Sequence, residues 1–337
     1  MTKTMTQRRS TRPWRNATAA LLLASLWLPV TLQAQTQANP AAGTLALTAL
    51  TAPQRTDPGA PPVSVMWLGN SFFYYNNSLH NHFGRLVASA GAGSRVRGVS
   101  VTVSGSGLDW HDMASLLRPD GLGRYSFVGD NEIRFNTTGR QFDTAVMMDC
   151  SQCPIHPQLQ GAFHDAVQRN ARLLVQAGVR PVLFMSWAYK DKPEMTAQLA
   201  EQYTLAGNAN DALVIPAGLA FAKAISKRPG IELYEADKRH PSLAGTYLAA
   251  CTAYAALYRK SPAGLGYTAG LDADLASLLQ TAAWETAQDY FKPGSAQAGP
   301  AGGGRAGSGR AGDGRAAFRP APAGRAPLGR APAPGNR

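Results

Sequence analysis

One serine and one distant histidine in this chain have neighbours suited to nucleophilic chemistry. Ser71 stands in Gly69-Asn70-Ser71-Phe72, directly after the apolar run Val63-Ser64-Val65-Met66-Trp67-Leu68. His240 closes Asp237-Lys238-Arg239-His240, about 170 residues later. A serine hydroxyl alone is a poor nucleophile. It needs a base within hydrogen-bond reach and a third group that holds the base in one orientation. Asp237 precedes His240 by one turn, close enough for its carboxylate to meet a ring nitrogen. Pro241 then opens a helix at a position that tolerates proline. Taken singly, Ser71 fits a helix N-cap equally well, and Asp237 fits a helix-start cap. It is the pairing that favours a Ser71–His240–Asp237 catalytic set. In it the backbone N–H of Ser71 is one oxyanion donor. Gly105, in Ser104-Gly105-Ser106-Gly107, is a second, because a glycine lets a substrate oxygen approach the backbone closely.

Other polar residues compete less well. Asp109 and His111 form a rival acid–base pair, but two residues apart on one expected helix they point different ways. His80 and His82 are spaced likewise and read as surface or pocket-rim residues, and His156 and His164 as structural. None has the His-x-x-x-His spacing of a helical metal site, so no metal and no cofactor are expected. Beside the nucleophile, Asn70, Phe72 and Tyr74, with Trp187 from a later loop, are the candidates for substrate contact. Aromatic residues at a strand–helix junction are, however, more often core.

The elements that would position these groups alternate between strand and helix. Strands are expected at Val63 to Leu68, Val96 to Val103, Thr144 to Met148, Pro181 to Ser186 and Ile231 to Tyr234. Helices are expected at Leu79 to Ala90, Trp110 to Leu117, Leu159 to Gln176, Glu194 to Leu205, Ala217 to Ile225, Leu243 to Tyr258 and Leu275 to Tyr290. Leu213-Val214-Ile215-Pro216 leads into the fifth of these helices, and residues 120–140 are expected to form an excursion, with a hairpin as one reading. This alternation predicts a three-layer α/β/α sandwich around a five-stranded parallel sheet. In such sheets the active site lies beyond the carboxyl ends of the strands. Ser71, Gly105, Gln152, Trp187 and Asp237 all follow expected strands.

Charge is unevenly distributed. The net charge of +12 divides into +5 for residues 1–34, +6 for residues 294–337 and +1 for the residues between. The middle is therefore nearly neutral, and the basic balance is no argument for a nucleic-acid-binding domain. Residues 1–34 combine Lys3, Arg8, Arg9, Arg12 and Arg15 with an apolar stretch from Ala19 to Leu32, the pattern of a signal peptide. An exported, periplasmic or secreted protein is expected. Residues 35–61 read as a linker, and residues 62–293 as the domain. Residues 294–337, rich in Gly, Ala, Pro and Arg, hold too little apolar surface to offset the entropy of ordering. They read as a disordered tail whose arginines can touch anionic polymers. Cys150 and Cys153 read first as structural or incidental thiols, with a small disulfide loop as the alternative.

Three blocks resemble the SGNH, or GDSL-like, hydrolase superfamily over roughly residues 62–260. Gly69-Asn70-Ser71-Phe72 looks like its nucleophile block, with Asn70 where GDSL enzymes have Asp. Ser104-Gly105 looks like the oxyanion-glycine block, and Asp237-Lys238-Arg239-His240-Pro241-Ser242 like the terminal Asp-x-x-His block. Ser186-Trp187-Ala188-Tyr189 and Gly245-Thr246-Tyr247-Leu248 are similar to a poorly characterised bacterial branch. The resemblance implies a flavodoxin-like sandwich, no metal, and double-displacement ester hydrolysis through an acyl-serine. The third block departs from the pattern. Met148-Asp149-Cys150-Ser151-Gln152-Cys153-Pro154 has no asparagine, and Gln152 is the substitute amide for the oxyanion. The expected substrate is a small ester, such as an O-acyl group on carbohydrate. The alternative is a catalytically weak carbohydrate-binding or cell-surface module.

Overall fold

The computed structural model describes residues 51–91, 93–118, 125–135 and 141–292. The expected signal peptide, most of the expected linker and the Arg-rich tail lie outside them. A parallel sheet runs in the order β2 (Arg97–Thr102), β1 (Ser64–Gly69), β5 (Thr144–Met147), β6 (Arg180–Phe184), β7 (Leu213–Ile215). In β1, Val65, Met66, Trp67 and Leu68 are buried on both faces. A central strand of a helix-covered sheet requires that near-continuous apolar run. The expected excursion contains the antiparallel pair β3 (Tyr125–Gly129) and β4 (Glu132–Phe135).

Chain direction across the sheet reverses at β1. From β1 the chain crosses to β2 by way of α1 (Ser71–Tyr74) and α2 (Leu79–Ser89). It later returns to the other side of β1 and steps outward through β5, α4 (Gln160–Gln176), β6, α5 (Met195–Ala209) and β7. Crossovers in a parallel sheet are right-handed, so opposite directions of travel place their helices on opposite faces. The reversal leaves a crevice between the loops that follow β1 and β5, the topological switch point where ligands bind in such sheets.

The short helix α3 (Met113–Leu116) follows a 3₁₀ turn at Leu108–Trp110, where one helix over Trp110 to Leu117 is expected. After β7 come α6 (Ala217–Lys227), α7 (Leu243–Tyr258) and α8 (Ala273–Tyr290). Fourteen of the sixteen α7 residues are buried. A helix apolar all round needs cover on every side. α2, α6, α8 and the sheet supply it.

The fifth strand is not the expected Ile231 to Tyr234 but Leu213–Ile215. Leu213, Val214 and Ile215 are all buried and pair with Val182, Leu183 and Phe184 of β6. Pro216, without an N–H, ends that strand. Around Ile231 to Tyr234 only one antiparallel bridge forms, Tyr234 to Pro241. Its backbone acceptors are occupied by the start of α7. Ser242 Oγ donates to the Glu232 carbonyl at 2.8 Å, and the Ser242 N–H donates to the Leu233 carbonyl at 2.9 Å. A Cβ on Gly245 would overlap the Leu233 carbonyl oxygen, so glycine is what lets α7 approach this segment.

Residues 51–61, expected as linker, have no regular structure but are tied to α5 and the turn after it. The Thr51 N–H donates to Glu201 at 2.9 Å, the Gln54 N–H to Asn208 Oδ1 at 2.8 Å, and Arg55 pairs with Asp211 at 2.5 Å.

Candidate active site

The turn after β1 is organised by Asn70. Its Oδ1 accepts from the Phe72 N–H at 3.2 Å, capping α1. Its Nδ2 donates to the carbonyls of Ser106 at 3.0 Å and Asp149 at 3.1 Å. One buried amide thus joins the loops that follow β1, β2 and β5. Asn70 is only 3 % exposed, so it is a strap under the site and not the substrate contact expected. The strap leaves Ser71 at the first position of α1 with its hydroxyl turned toward His240.

Ser71 Oγ and His240 Nε2 are 2.8 Å apart. On the other side of the ring, Nδ1 meets Asp237 Oδ2 in a short hydrogen bond. Asp237 Oδ1 is held separately by the backbone N–H groups of Arg239 at 2.9 Å and His240 at 3.0 Å. This turn is closed by the Glu235 N–H donating to the His240 carbonyl at 2.8 Å, and Lys238 is left-handed at φ 65°. Partial burial opposes the Asp237 charge. Hydrogen bonds from the His240 ring and from the two backbone N–H groups outweigh that and draw its pKa down to about 2. Asp237 therefore stays ionised at every pH at which an imidazole can act as a base. Without a strand at Ile231 to Tyr234, Asp237 reaches the rim from this turn and not from a strand end.

Two backbone donors are free nearby. The N–H groups of Ser71 and Gly105 meet no acceptor among the described residues. Gly105 has φ +71°, which favours glycine, and the space where a Cβ would stand is open. The Gln152 side-chain amide likewise has no hydrogen-bond partner among the described residues, whereas its carbonyl accepts from Ile155 at 3.0 Å and His156 at 2.8 Å.

Other expected site residues are placed differently. Trp187 is fully buried, stacked between Phe72 (centroids 4.7 Å apart) and Phe221 (4.3 Å), and its Nε1 donates to the Arg239 carbonyl at 3.0 Å. It supports the Asp237–His240 turn from below instead of lining a substrate cleft. Phe72 is also buried and meets the His240 ring edge-on. Of the four expected contacts only Tyr74 is exposed, its hydroxyl donating to Ser104 Oγ at 3.1 Å. The rival pair does not lie on one regular helix. Asp109 is in the 3₁₀ turn, and His111 follows that turn in extended backbone, buried, with Nε2 3.1 Å from Ser106 Oγ. Burial lowers the His111 pKa. His82, expected near the surface, is buried too, with Nε2 2.7 Å from the Asn76 carbonyl and Nδ1 2.8 Å from the Tyr267 hydroxyl.

Cys150 and Cys153 are joined in a disulfide, where incidental thiols were favoured. Asp149, Cys150 and Cys153 are the one cluster of potential metal ligands among the described residues. With its sulfurs bonded to each other, the cluster offers no thiolate.

Asp149 is the residue whose importance the sequence concealed. It is buried, and its carbonyl is bound by Asn70. Desolvation raises its pKa to about 6, against the pull of the Cys150 and Leu108 N–H groups. The unfolded chain therefore releases this proton first as pH rises. Stability falls between about pH 4 and pH 6 and stays reduced above that. Asp149→Asn removes the charge and keeps an acceptor for the Cys150 N–H. It is expected to raise stability by about 2 kcal/mol at pH 8 and by little at pH 4. Thermal unfolding of both proteins at the two pH values measures the difference.

No family model and no curated protein matches this chain. Solved structures do, among them several described as SGNH or GDSL-type hydrolases. A DUF4886 family protein from Bacteroides uniformis is 18% identical with a TM-score of 0.46, covering 66% of this chain and 94% of that one. A candidate SGNH hydrolase from Slackia heliotrinireducens is 21% identical with a TM-score of 0.44, covering 58% and 98%. The acetyl xylan esterase AlAXEase is 12% identical with a TM-score of 0.44, covering 58% and 100%. The chemical reading of the site rests on its own geometry.

Proposed function

We propose that this chain is an exported serine esterase of the SGNH type. The observation that carries the reading is the unbroken line from Ser71 Oγ through the His240 imidazole to the Asp237 carboxylate. In the first half-reaction Ser71 Oγ attacks the ester carbonyl carbon while its proton passes to His240 Nε2. The carbonyl electron pair moves onto oxygen, facing the N–H groups of Ser71 and Gly105, with the Gln152 amide as the third donor. The pair returns, the carbon–oxygen bond to the alcohol breaks, and the leaving oxygen takes the proton from Nε2. Water then repeats the sequence on the acyl-serine, with His240 again as base and then acid.

The substrate proposed is a small ester such as an O-acyl group on carbohydrate, whose carbonyl oxygen can approach the unobstructed backbone at Gly105. The Cys150–Cys153 disulfide fits an oxidising compartment, and so does the basic, apolar leader. The Arg-rich tail is proposed to contact anionic polymers.

A fluorophosphonate probe tests the mechanism without a choice of substrate. Ser71 is expected to be labelled irreversibly in the native protein, and His240→Ala is expected to abolish labelling. A native protein that resists the probe would favour the carbohydrate-binding or cell-surface module instead.

A further inference from the structure

The ring of Tyr75 lies flat against the imidazole of His240, with centroids 4.2 Å apart and planes 7° from parallel. Phe72 meets the same imidazole edge-on, 5.5 Å away. Tyr75 is the residue at which α1 ends, and an unusual turn follows it. Asn76, Asn77 and Ser78 all have positive φ, of 51°, 65° and 68°. Three successive non-glycine residues in that region persist only where their surroundings over-determine them. Here the surroundings are specific. Asn76 Nδ2 donates to the Pro241 carbonyl at 2.7 Å and to Thr246 Oγ1 at 2.9 Å. His82 Nε2 lies 2.7 Å from the Asn76 carbonyl, and Ser78 Oγ donates to the Phe73 carbonyl at 3.2 Å. The strained turn is thus fastened to Pro241, the residue next to His240, which fixes the Tyr75 ring on the histidine.

We infer that Tyr75, clamped through Asn76 to Pro241, is a positioning residue that stabilises the protonated form of His240. The inference rests on the serine-esterase reading, in which His240 takes the Ser71 proton in each half-reaction. An aromatic face carries negative quadrupole density, so it attracts a cation stacked on it more than a neutral ring. Tyr75 therefore favours the imidazolium that forms as Ser71 Oγ bonds to the carbonyl carbon. It exchanges no proton or bond itself. Its phenol stays neutral, because burial and then the Asp237 carboxylate raise its pKa.

The other groups around His240 are accounted for. Asp237 faces Nδ1, Ser71 faces Nε2, and the Phe72 ring is not stacked on the imidazole but lies 74° from its plane. Glu235 meets the His240 carbonyl through its backbone N–H. Tyr74 stacks on Tyr75 with centroids 5.7 Å apart. Lys238 is 3.5 Å from Asp191, and the Arg239 guanidinium lies over Tyr189 at 4.9 Å. Among the described residues, Tyr75 is thus the one aromatic ring stacked on the base.

The test is an NMR titration of the His240 Cε1–H in the full chain, assigned with His240→Gln, for native protein, Tyr75→Phe and Tyr75→Leu. The titration midpoint of Tyr75→Leu is expected to fall by about half a pH unit, a threefold change in the protonation constant. Its resonance should lose the ring-current shift. Tyr75→Phe, which keeps the face, should match the native protein in both respects. The same Leu variant should lower kcat about threefold with KM unchanged, and move the acid limb of the rate profile to lower pH by the same half unit. An unmoved midpoint in Tyr75→Leu, or a Phe variant that behaves like it, overturns the inference. The midpoint is read without substrate. A shifted midpoint in a protein that fluorophosphonate does not label would sink the esterase reading alone and leave the coupling of Tyr75 to His240 standing.

Discussion

Ser71→Ala is expected to reduce p-nitrophenyl acetate hydrolysis by on the order of 10⁴-fold or more, to near the uncatalysed rate. The size follows from how much depends on one oxygen. Ser71 Oγ forms the bond to the substrate, and no other hydroxyl is within hydrogen-bond distance of His240 Nε2 among the described residues. A water held by His240 would rescue only the fraction of rate that the oxyanion donors supply. The fold should be indifferent. The lost hydroxyl makes one side-chain hydrogen bond, worth about 1 kcal/mol, and no buried partner is orphaned because His240 remains partly open to water. Circular dichroism and thermal unfolding of the variant, measured beside the rate, separate lost chemistry from lost structure. A variant that keeps the native rate would mean that another group is the nucleophile.

Asp237→Asn should cost more activity than Asp237→Ala, an inverted order that the geometry dictates. Two backbone N–H groups hold Oδ1, and Oδ2 faces the ring. In the Asn variant the amide oxygen must keep the first place, because only an acceptor can serve those donors. The NH₂ then takes the second place and donates to Nδ1. That selects the tautomer with its proton on Nε2, which faces Ser71 as a donor and cannot accept the serine proton. A loss of about 10³- to 10⁴-fold in kcat is expected. In Asp237→Ala, water can enter, because the Asp237 side chain is 45% exposed. Either tautomer is then allowed, and a loss nearer 10²-fold is expected on the same reasoning. Steady-state kinetics of the two variants on one ester decide the matter. Equal losses, or a worse Ala variant, would show that orientation and charge matter and tautomer selection does not. Native activity should also show no acid limb from Asp237 itself above about pH 3, since its pKa lies near 2.

Much of this was legible in the chain. The central strand announced itself because Val65, Met66, Trp67 and Leu68 must be buried on both faces, and only a near-continuous apolar run permits that. Helix α7 was placed to the residue by its unbroken apolar character, although Pro241, expected to open it, lies one residue before the N-cap Ser242. The strand at Leu213–Ile215 was missed for a physical reason. Three residues leave too short a period to distinguish a strand from the entry to a helix, and the longer segment at Ile231 to Tyr234 looked the better candidate. What denied that segment a place in the sheet was competition for its carbonyls by Ser242, which depends on where α7 packs.

The chemistry of Ser71, Asp237 and His240 was likewise readable from residue type and local spacing. A carboxylate three residues from a histidine meets it through a turn that is itself local. What only the tertiary structure decided were the long-range partners. Ser71 and His240 approach because the segment after β1 docks on the turn ahead of α7, where Asn76 is fastened to Pro241 and Thr246. Asn70, Phe72 and Trp187 looked like substrate contacts because polar and aromatic side chains near a nucleophile can serve either purpose. Burial assigns them to the support beneath it. Tyr75 stood in the aromatic run beside the nucleophile and Asp149 in the third block, but a face on an imidazole or a desolvated carboxyl is defined by neighbours distant in sequence. Local order along the chain sets which side chains are able to react. The packing of separated segments sets which of them meet, and in what electrostatic surroundings.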